Sequence, residues 1–144
     1  MRKQELIRAA MKARLSAYAP YSNYYVGAAL LSEDGSVICG CNVENASYGA
    51  SNCAERTAIF KAVSEGHRRL SMIAIAGGPA TDDPENLSGY AYPCGICRQV
   101  MREFGDPAEF RVLVARSEND YETYRLEELL AHSFGPSNLS VEAG

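Results

Sequence analysis

Along this chain, stretches whose apolar residues recur every third or fourth position alternate with short runs that are apolar throughout. Residues 2–17 are of the first kind. Leu6, Ala10, Ala13 and Ala17 share one face, Ile7 and Met11 lie beside it, and Pro20 stands just beyond. This spacing predicts an amphipathic helix that ends before the proline. The runs 26–31 and 37–41 predict two strands, and Glu33-Asp34-Gly35-Ser36 between them has the composition of a hairpin turn. Residues 42–52, rich in Asn, Ser and Gly, predict a loop. The helical period returns at Cys53, with Ala54, Ala58 and Ala62 in step, Ile59 and Val63 alongside, and Gly66 as a stop. A buried strand is expected over 72–76, then a loop over 77–92 containing Pro79 and Pro84. A helix over 94–104, a strand over 110–115 and a short helix over 126–130 follow, before a polar tail. Strands interleaved with helices predict an α/β fold, one sheet covered on both faces. With no internal repeat and no linker-like segment, residues 1–144 read as one domain.

Composition narrows the function. Hydrophobic residues make up 47% of the chain, enough for a core, and 22% are charged, a balance that argues against disorder. The net charge of -4 argues against a nucleic-acid partner, which calls for a basic footprint. No apolar run approaches the roughly 18 residues of a membrane span, so no membrane partner is expected. The start, Met1-Arg2-Lys3-Gln4-Glu5, lacks the apolar stretch of a secretory leader, and a cytoplasmic location is expected. In that reducing compartment, five cysteines, an odd number, read as metal ligands rather than disulfides.

The chemistry is concentrated in Cys53-Ala54-Glu55 and Pro93-Cys94-Gly95-Ile96-Cys97. Three thiolates are one short of a closed structural zinc site, and the open position is what a catalytic zinc needs for its water. Glu55, two residues from the first thiolate, is placed to move that water's proton. A ligand-x-Glu followed by a distant Pro-Cys-x-x-Cys is the pattern of zinc-dependent nucleobase deaminases. Both groups fall at predicted helix N-termini, whose unpaired N–H groups favour thiolates. Three thiolates over-neutralise a dication, so compensating positive charge is expected. Arg56 and Arg98 each directly follow a ligand motif, and Arg56 is expected to hydrogen-bond a ligand sulfur. Cys39 and Cys41, two apart on a predicted strand, share one face; they read as small buried hydrophobes or as a fourth ligand. His67 and His132 have no partner at ligand spacing and read as surface residues.

The chain resembles the small, homotetrameric class of cytidine deaminases over nearly its whole length. The resemblance rests on Ala19-Pro20-Tyr21-Ser22 with Val26-Gly27-Ala28-Ala29-Leu30, and on Asn42-Val43-Glu44-Asn45-Ala46-Ser47-Tyr48-Gly49. It rests also on Asn52-Cys53-Ala54-Glu55-Arg56, on Pro93-Cys94-Gly95 through Cys97-Arg98-Gln99-Val100, and on Phe134-Gly135-Pro136. It implies a three-layer α/β/α fold with a five-stranded mixed sheet. It also implies one zinc per subunit and hydrolytic deamination of cytidine and deoxycytidine, a step of pyrimidine salvage. By the same resemblance Cys53, Cys94 and Cys97 would hold zinc and Glu55 would shuttle protons. Asn42 and Glu44 would grip the ribose hydroxyl, and the Ala54 backbone would contact the base. Tyr48 and the Ala46 backbone would reach a neighbouring subunit's site, and Phe134 would pack on a base across an interface. Tyr24 stands where the family usually has Phe in the base-packing position, which keeps a ring and adds a hydroxyl. Tyr92 replaces a small residue before Pro-Cys, the 77–92 loop is longer than usual, and Ala131 replaces a common proline.

Two rival readings remain at this point. One is a related deaminase acting on a modified nucleoside, a free base or a polynucleotide; Asn42 and Glu44 favour a nucleoside. The other is a non-enzymatic zinc module closed by a fourth cysteine. Glu55 discriminates, because a closed structural site has no use for it.

Overall fold

Parity along the strands decides where the helices sit. The structure, a computed structural model, describes residues 3–141. Its strands are β1 (Tyr24–Ser32), β2 (Val37–Cys41), β3 (Leu70–Pro79), β4 (Arg111–Ser117) and β5 (Asp120–Arg125). They form one five-stranded sheet in the order β2-β1-β3-β4-β5. The β3–β4 pair is parallel and the other pairs are antiparallel. The helices are α1 (Lys3–Arg14), α2 (Ala54–Ser64), α3 (Gly95–Phe104) and α4 (Leu126–Leu129). A parallel pair needs a crossover, and α3 supplies it.

Ala28, Leu30, Ile73, Ile75, Val112 and Val114 point to one face and form a core with α2 and α3. Their strand neighbours Ala29, Ala74, Ala76, Leu113 and Ala115 point to the other and meet Leu6, Ile7 and Ala10 of α1. Mixed five-stranded sheet and three layers thus agree with the sequence expectation. The α1 face is mostly alanine, so the helix lies close. A Cβ on Gly27 would fall 2.1 Å from the Ala10 carbonyl oxygen, so only glycine fits there. On the opposite face a Cβ on Gly40 would fall 2.6 Å from the Ala58 nitrogen, which shows how tightly α2 is seated on β2.

Several boundaries differ from the periodicity. Helix α1 ends at Arg14 rather than at residue 17, and Ala13 and Ala17 are only half-buried; Arg2 lies outside the described residues. Arg14 itself completes the buried stripe. Its guanidinium donates to the carbonyls of Tyr25 (2.9 Å), Gly78 (2.9 Å) and Pro79 (2.8 Å), which makes a charged side chain tolerable there. Strand β3 continues three residues past Ala76, through Gly77, Gly78 and Pro79, which pair with Val26, Tyr25 and Tyr24. Pro79 ends the strand, a position where proline is accepted. Strand β5 has no counterpart in the apolar pattern. Its sequence, DYETYR, is polar or aromatic throughout and is half-buried at most.

Candidate active site

The sulfurs meet because two helices start side by side on one face of the sheet. Cys53 is the N-cap of α2 and Cys94 the N-cap of α3, both in extended backbone conformation with side chains that cap nothing. Their sulfurs are therefore free to point outward from the helix ends. Cys97 lies one turn into α3 and is fully buried. Cys53 Sγ is 4.0 Å from Cys94 Sγ, and Cys94 Sγ is 3.5 Å from Cys97 Sγ. All three sulfurs lie within 4.8 Å of one another. A tetrahedral zinc with bonds of about 2.3 Å separates its sulfurs by about 3.8 Å, so the donor set fits zinc. Among the described residues no other His, Cys, Asp or Glu joins this cluster.

Positive charge stands beside the sulfurs. Arg56 Nη2 donates to Cys53 Sγ at 3.2 Å, and its Nε is buried without a partner. The donor left over suits a cluster that gains negative charge when every thiol ionises. The Cys97 thiol and the Arg56 guanidinium both donate to Cys53, which draws its pKa down to about 5. Cys97 is pushed the other way by its hydrogen bond to Cys53 and by burial. The first proton therefore leaves Cys53, as expected of clustered thiols beside one cation. Arg98 does a different job. It donates from Nε to the Pro93 carbonyl (2.7 Å) and from Nη1 to the Leu129 carbonyl (2.8 Å), fixing the entry to α3.

Glu55 lies in the first turn of α2 with 5% of its surface exposed. Burial, reinforced by charge on Cys53, raises its pKa to about 7. A carboxyl poised there can accept and return protons near neutrality. It lines a cavity of about 600 Å³ together with Cys53, Ala54 and Cys94. Asn42, Glu44, Tyr48 and Tyr24 line the same cavity.

Asn42 and Glu44 are held mainly by backbone groups. Asn42 Oδ1 accepts from Val26 N (2.9 Å) and its Nδ2 donates to the Tyr24 carbonyl (2.8 Å). Glu44 accepts from Tyr21 N, Ser22 N and the Ser22 hydroxyl, the last of these bonds keeping its carboxyl below its ordinary range. Tyr48 packs edge-on against Tyr21, with ring centroids 5.9 Å apart, and is 75% exposed. Phe134 is also exposed and lies outside the cavity lining; its carbonyl accepts from Gln99 Nε2.

Cys39 and Cys41 sit on β2 opposite Ala29 and Gly27, whose side of the sheet faces α1, and they do not join the sulfur cluster. The fourth-ligand alternative for them is thereby removed. His67 pairs with Asp34 at 3.1 Å in the β1–β2 turn region, and His132 is exposed. The sequence reading does not single out Val26, Ile75, Tyr90 or Ala91, yet all four line the cavity. Strand parity carries a signal for Val26 and Ile75, which share the α2 face. Tyr90 and Ala91 belong to an irregular segment with no periodicity to read.

Comparison with known proteins agrees with this geometry. Residues 1–113 match a family model described as the cytidine and deoxycytidylate deaminase zinc-binding region. A cytidine deaminase of Halalkalibacterium halodurans is 46% identical over 140 residues, covering 97% of this chain and 99% of the relative. One from Mycobacterium tuberculosis is 38% identical over 133 residues, covering 92% and 90%. The crystal structure of cytidine deaminase from Burkholderia pseudomallei superposes with a TM-score of 0.82 at 46% identity, covering 93% of this chain and all (100%) of that one.

Proposed function

The chain belongs to the cytidine and deoxycytidylate deaminase family, and from that membership we propose that it hydrolyses cytidine and deoxycytidine to uridine and deoxyuridine with release of ammonia. The reading is carried by one observation: a buried carboxyl, Glu55, lines the same cavity as Cys53 and Cys94, two members of a three-sulfur cluster. Cys53, Cys94 and Cys97 would hold zinc. When bound, the metal supplies Lewis acidity that makes water a nucleophile near neutral pH.

The chain's own residues do the rest. Glu55 takes a proton from the attacking water and delivers it to ring N3 as the C4–O bond forms. It then carries the second proton to the exocyclic amine, which leaves as ammonia when the C4–N bond breaks. Water and cytidine are consumed, uridine and ammonia are formed, and Glu55 is regenerated. Arg56, which donates to the Cys53 sulfur, balances the charge of the thiolates. Asn42 and Glu44 hold the ribose hydroxyls, while Ala54 and Tyr24 contact the base. The acidic Glu44 and the lack of a basic cluster in the lining favour a nucleoside over a nucleotide.

The working form in this reading is a cytoplasmic homotetramer with sites shared between subunits. Its support is the exposure of Tyr48 (75%), Ile96 (61%) and Phe134 (60%), apolar or aromatic groups left uncovered in the single chain. Among the described residues no helix is long and apolar enough to cross a membrane. Ammonia release on a panel of cytidine, deoxycytidine, cytidine monophosphate and cytosine tests the substrate. Turnover of the monophosphate as efficient as that of cytidine refutes the nucleoside preference. Subunit exchange tests the shared site: mixing Phe134→Ala, altered at a residue outside its own chain's cavity, with Glu55→Gln should restore part of the activity in mixed oligomers, and verified exchange without recovery contradicts it.

A further inference from the structure

On the face of β5 where Tyr124 packs against the core, Glu122 stands as a carboxylate with two phenol donors. Glu122 and Tyr124 stand opposite Val114 and Val112, the two β4 residues that face α2 and α3. They therefore project to the same side of the sheet as the sulfur cluster. Tyr92 donates its hydroxyl to Glu122 Oε1 at 2.5 Å, and Tyr124 donates to the same oxygen at 2.8 Å. The Tyr92 and Tyr124 rings meet edge-on, with centroids 6.3 Å apart at an interplanar angle of 64°. A second rung lies alongside, where Tyr90 donates to Asp120 Oδ1 at 2.5 Å. Asp120 is in turn 3.3 Å from Arg116 Nη1, whose guanidinium lies 5.7 Å from the centre of the Tyr90 ring.

Both tyrosines line the cavity, with Ala91 buried between them, and Tyr92 precedes the ligand Cys94 by two residues. The segment 90–94 has no secondary structure of its own. Its position is set from outside: by Arg98 at the Pro93 carbonyl and by the two tyrosine–carboxylate rungs. Phenol–carboxylate hydrogen bonds are charge-assisted and directional, so they can fix an irregular wall as a strand pairing would.

We infer that β5 is a positioning element for the active-site wall, with Glu122 the positioning residue that holds Tyr92, and through it the wall and Cys94, in place for turnover. This inference deepens the proposed deamination and rests on it. Reaction geometry is sensitive to small displacements of positioned groups, so loosening the rung should lower kcat more than it raises KM.

Four variants test this. Tyr92→Phe removes only a hydroxyl from a half-exposed side chain, so it leaves the fold intact. Glu122→Ala removes the acceptor, Glu122→Gln keeps an acceptor oxygen, and Tyr124→Phe removes the other donor. Tyr92→Phe and Glu122→Ala should each lower kcat on cytidine by about five- to tenfold with KM within about twofold. The double variant should be no worse than the poorer single, because both remove one bond. Glu122→Gln should recover most of the loss, and Tyr124→Phe, which leaves Glu122 its Tyr92 donor, should lose less than Glu122→Ala. In cobalt-substituted protein, the thiolate-to-metal absorption band should change in Tyr92→Phe and Glu122→Ala, and less in Tyr124→Phe. Wild-type kcat in Tyr92→Phe and Glu122→Ala, additive losses in the double variant, or unchanged cobalt spectra would overturn the inference. Should the wild type release no ammonia from any cytosine nucleoside, the substrate reading fails, and the cobalt spectra still decide whether the rung positions Cys94.

Discussion

The N-termini of α2 and α3 start from the same device, a cysteine N-cap in extended conformation, and diverge from there. At α2 the next two residues after Ala54 are Glu55, with 5% of its surface exposed, and Arg56, bonded to the Cys53 sulfur. At α3 the corresponding positions are Ile96, 61% exposed, and Cys97, fully buried. In the proposed reaction the α2 end would carry the proton chemistry and the charge balance, while the α3 end would supply two ligands and presents an exposed apolar residue. Even the two arginines divide this way. Arg56 reaches a sulfur, and Arg98 reaches carbonyls of its own surroundings. Identical helix starts thus serve two purposes, decided by which side chains follow the cap.

The comparison breaks most completely by removing a ligand from either end. Cys53→Ala and Cys97→Ala should both lose stoichiometric zinc, measured by elemental analysis, and activity should fall to background in each. One of them retaining zinc and turnover would show that the ends do not share one centre. The next largest effect separates the ends. Glu55→Gln should keep zinc and lose about 10²- to 10⁴-fold in kcat, whereas Ile96→Gln, at the matching position of α3, should leave single-chain folding and zinc content unchanged. A metallated Glu55→Gln with near-normal kcat would contradict the proton role.

The arginines sharpen the contrast at a smaller scale. Arg56→Gln should release zinc to a chelator about tenfold or more faster than wild type, since a hydrogen bond to a charged group contributes about 1.5–3 kcal/mol. Arg98→Gln should instead lower the melting temperature, because two carbonyls lose their donor, with a smaller change in zinc release. Equal chelator sensitivity in the two variants would erase the distinction. The smallest effect is expected at Cys41→Ser, which lies on the α1 side of the sheet. Its zinc content should equal that of wild type, and loss of metal there would revive the closed-module reading.

How much of this was legible before the structure depends on the kind of signal each residue carries. The ligand helices were readable, because Ala54, Ala58 and Ala62 keep a helical period directly after Cys53, and Cys94 and Cys97 keep one-turn spacing. Both cysteines read as helix starts, and both prove to be N-caps. The end of α1 was not readable from apolar spacing, since the stripe is completed by Arg14, a charged residue made tolerable by three carbonyl acceptors from distant strands. Strand β5 escaped for a related reason. Its alternation sets Glu122 and Tyr124 toward the active-site wall, so the face that ought to look apolar is polar. The extension of β3 through Gly77, Gly78 and Pro79 was hidden by residues that ordinarily mark loops, and only pairing with β1 keeps them in the sheet. Local periodicity reports what is buried against apolar neighbours; it is silent where burial is arranged through hydrogen bonds between distant segments.

In the proposed reaction the two helix ends would form one open three-thiolate centre beside Glu55. X-ray absorption at the zinc edge of the purified, metal-loaded protein tests it most directly. Three sulfur neighbours and one oxygen are expected, with the oxygen contribution perturbed when a cytidine analogue is added. Four sulfur neighbours, insensitive to the analogue, would contradict it and leave the protein a closed zinc module.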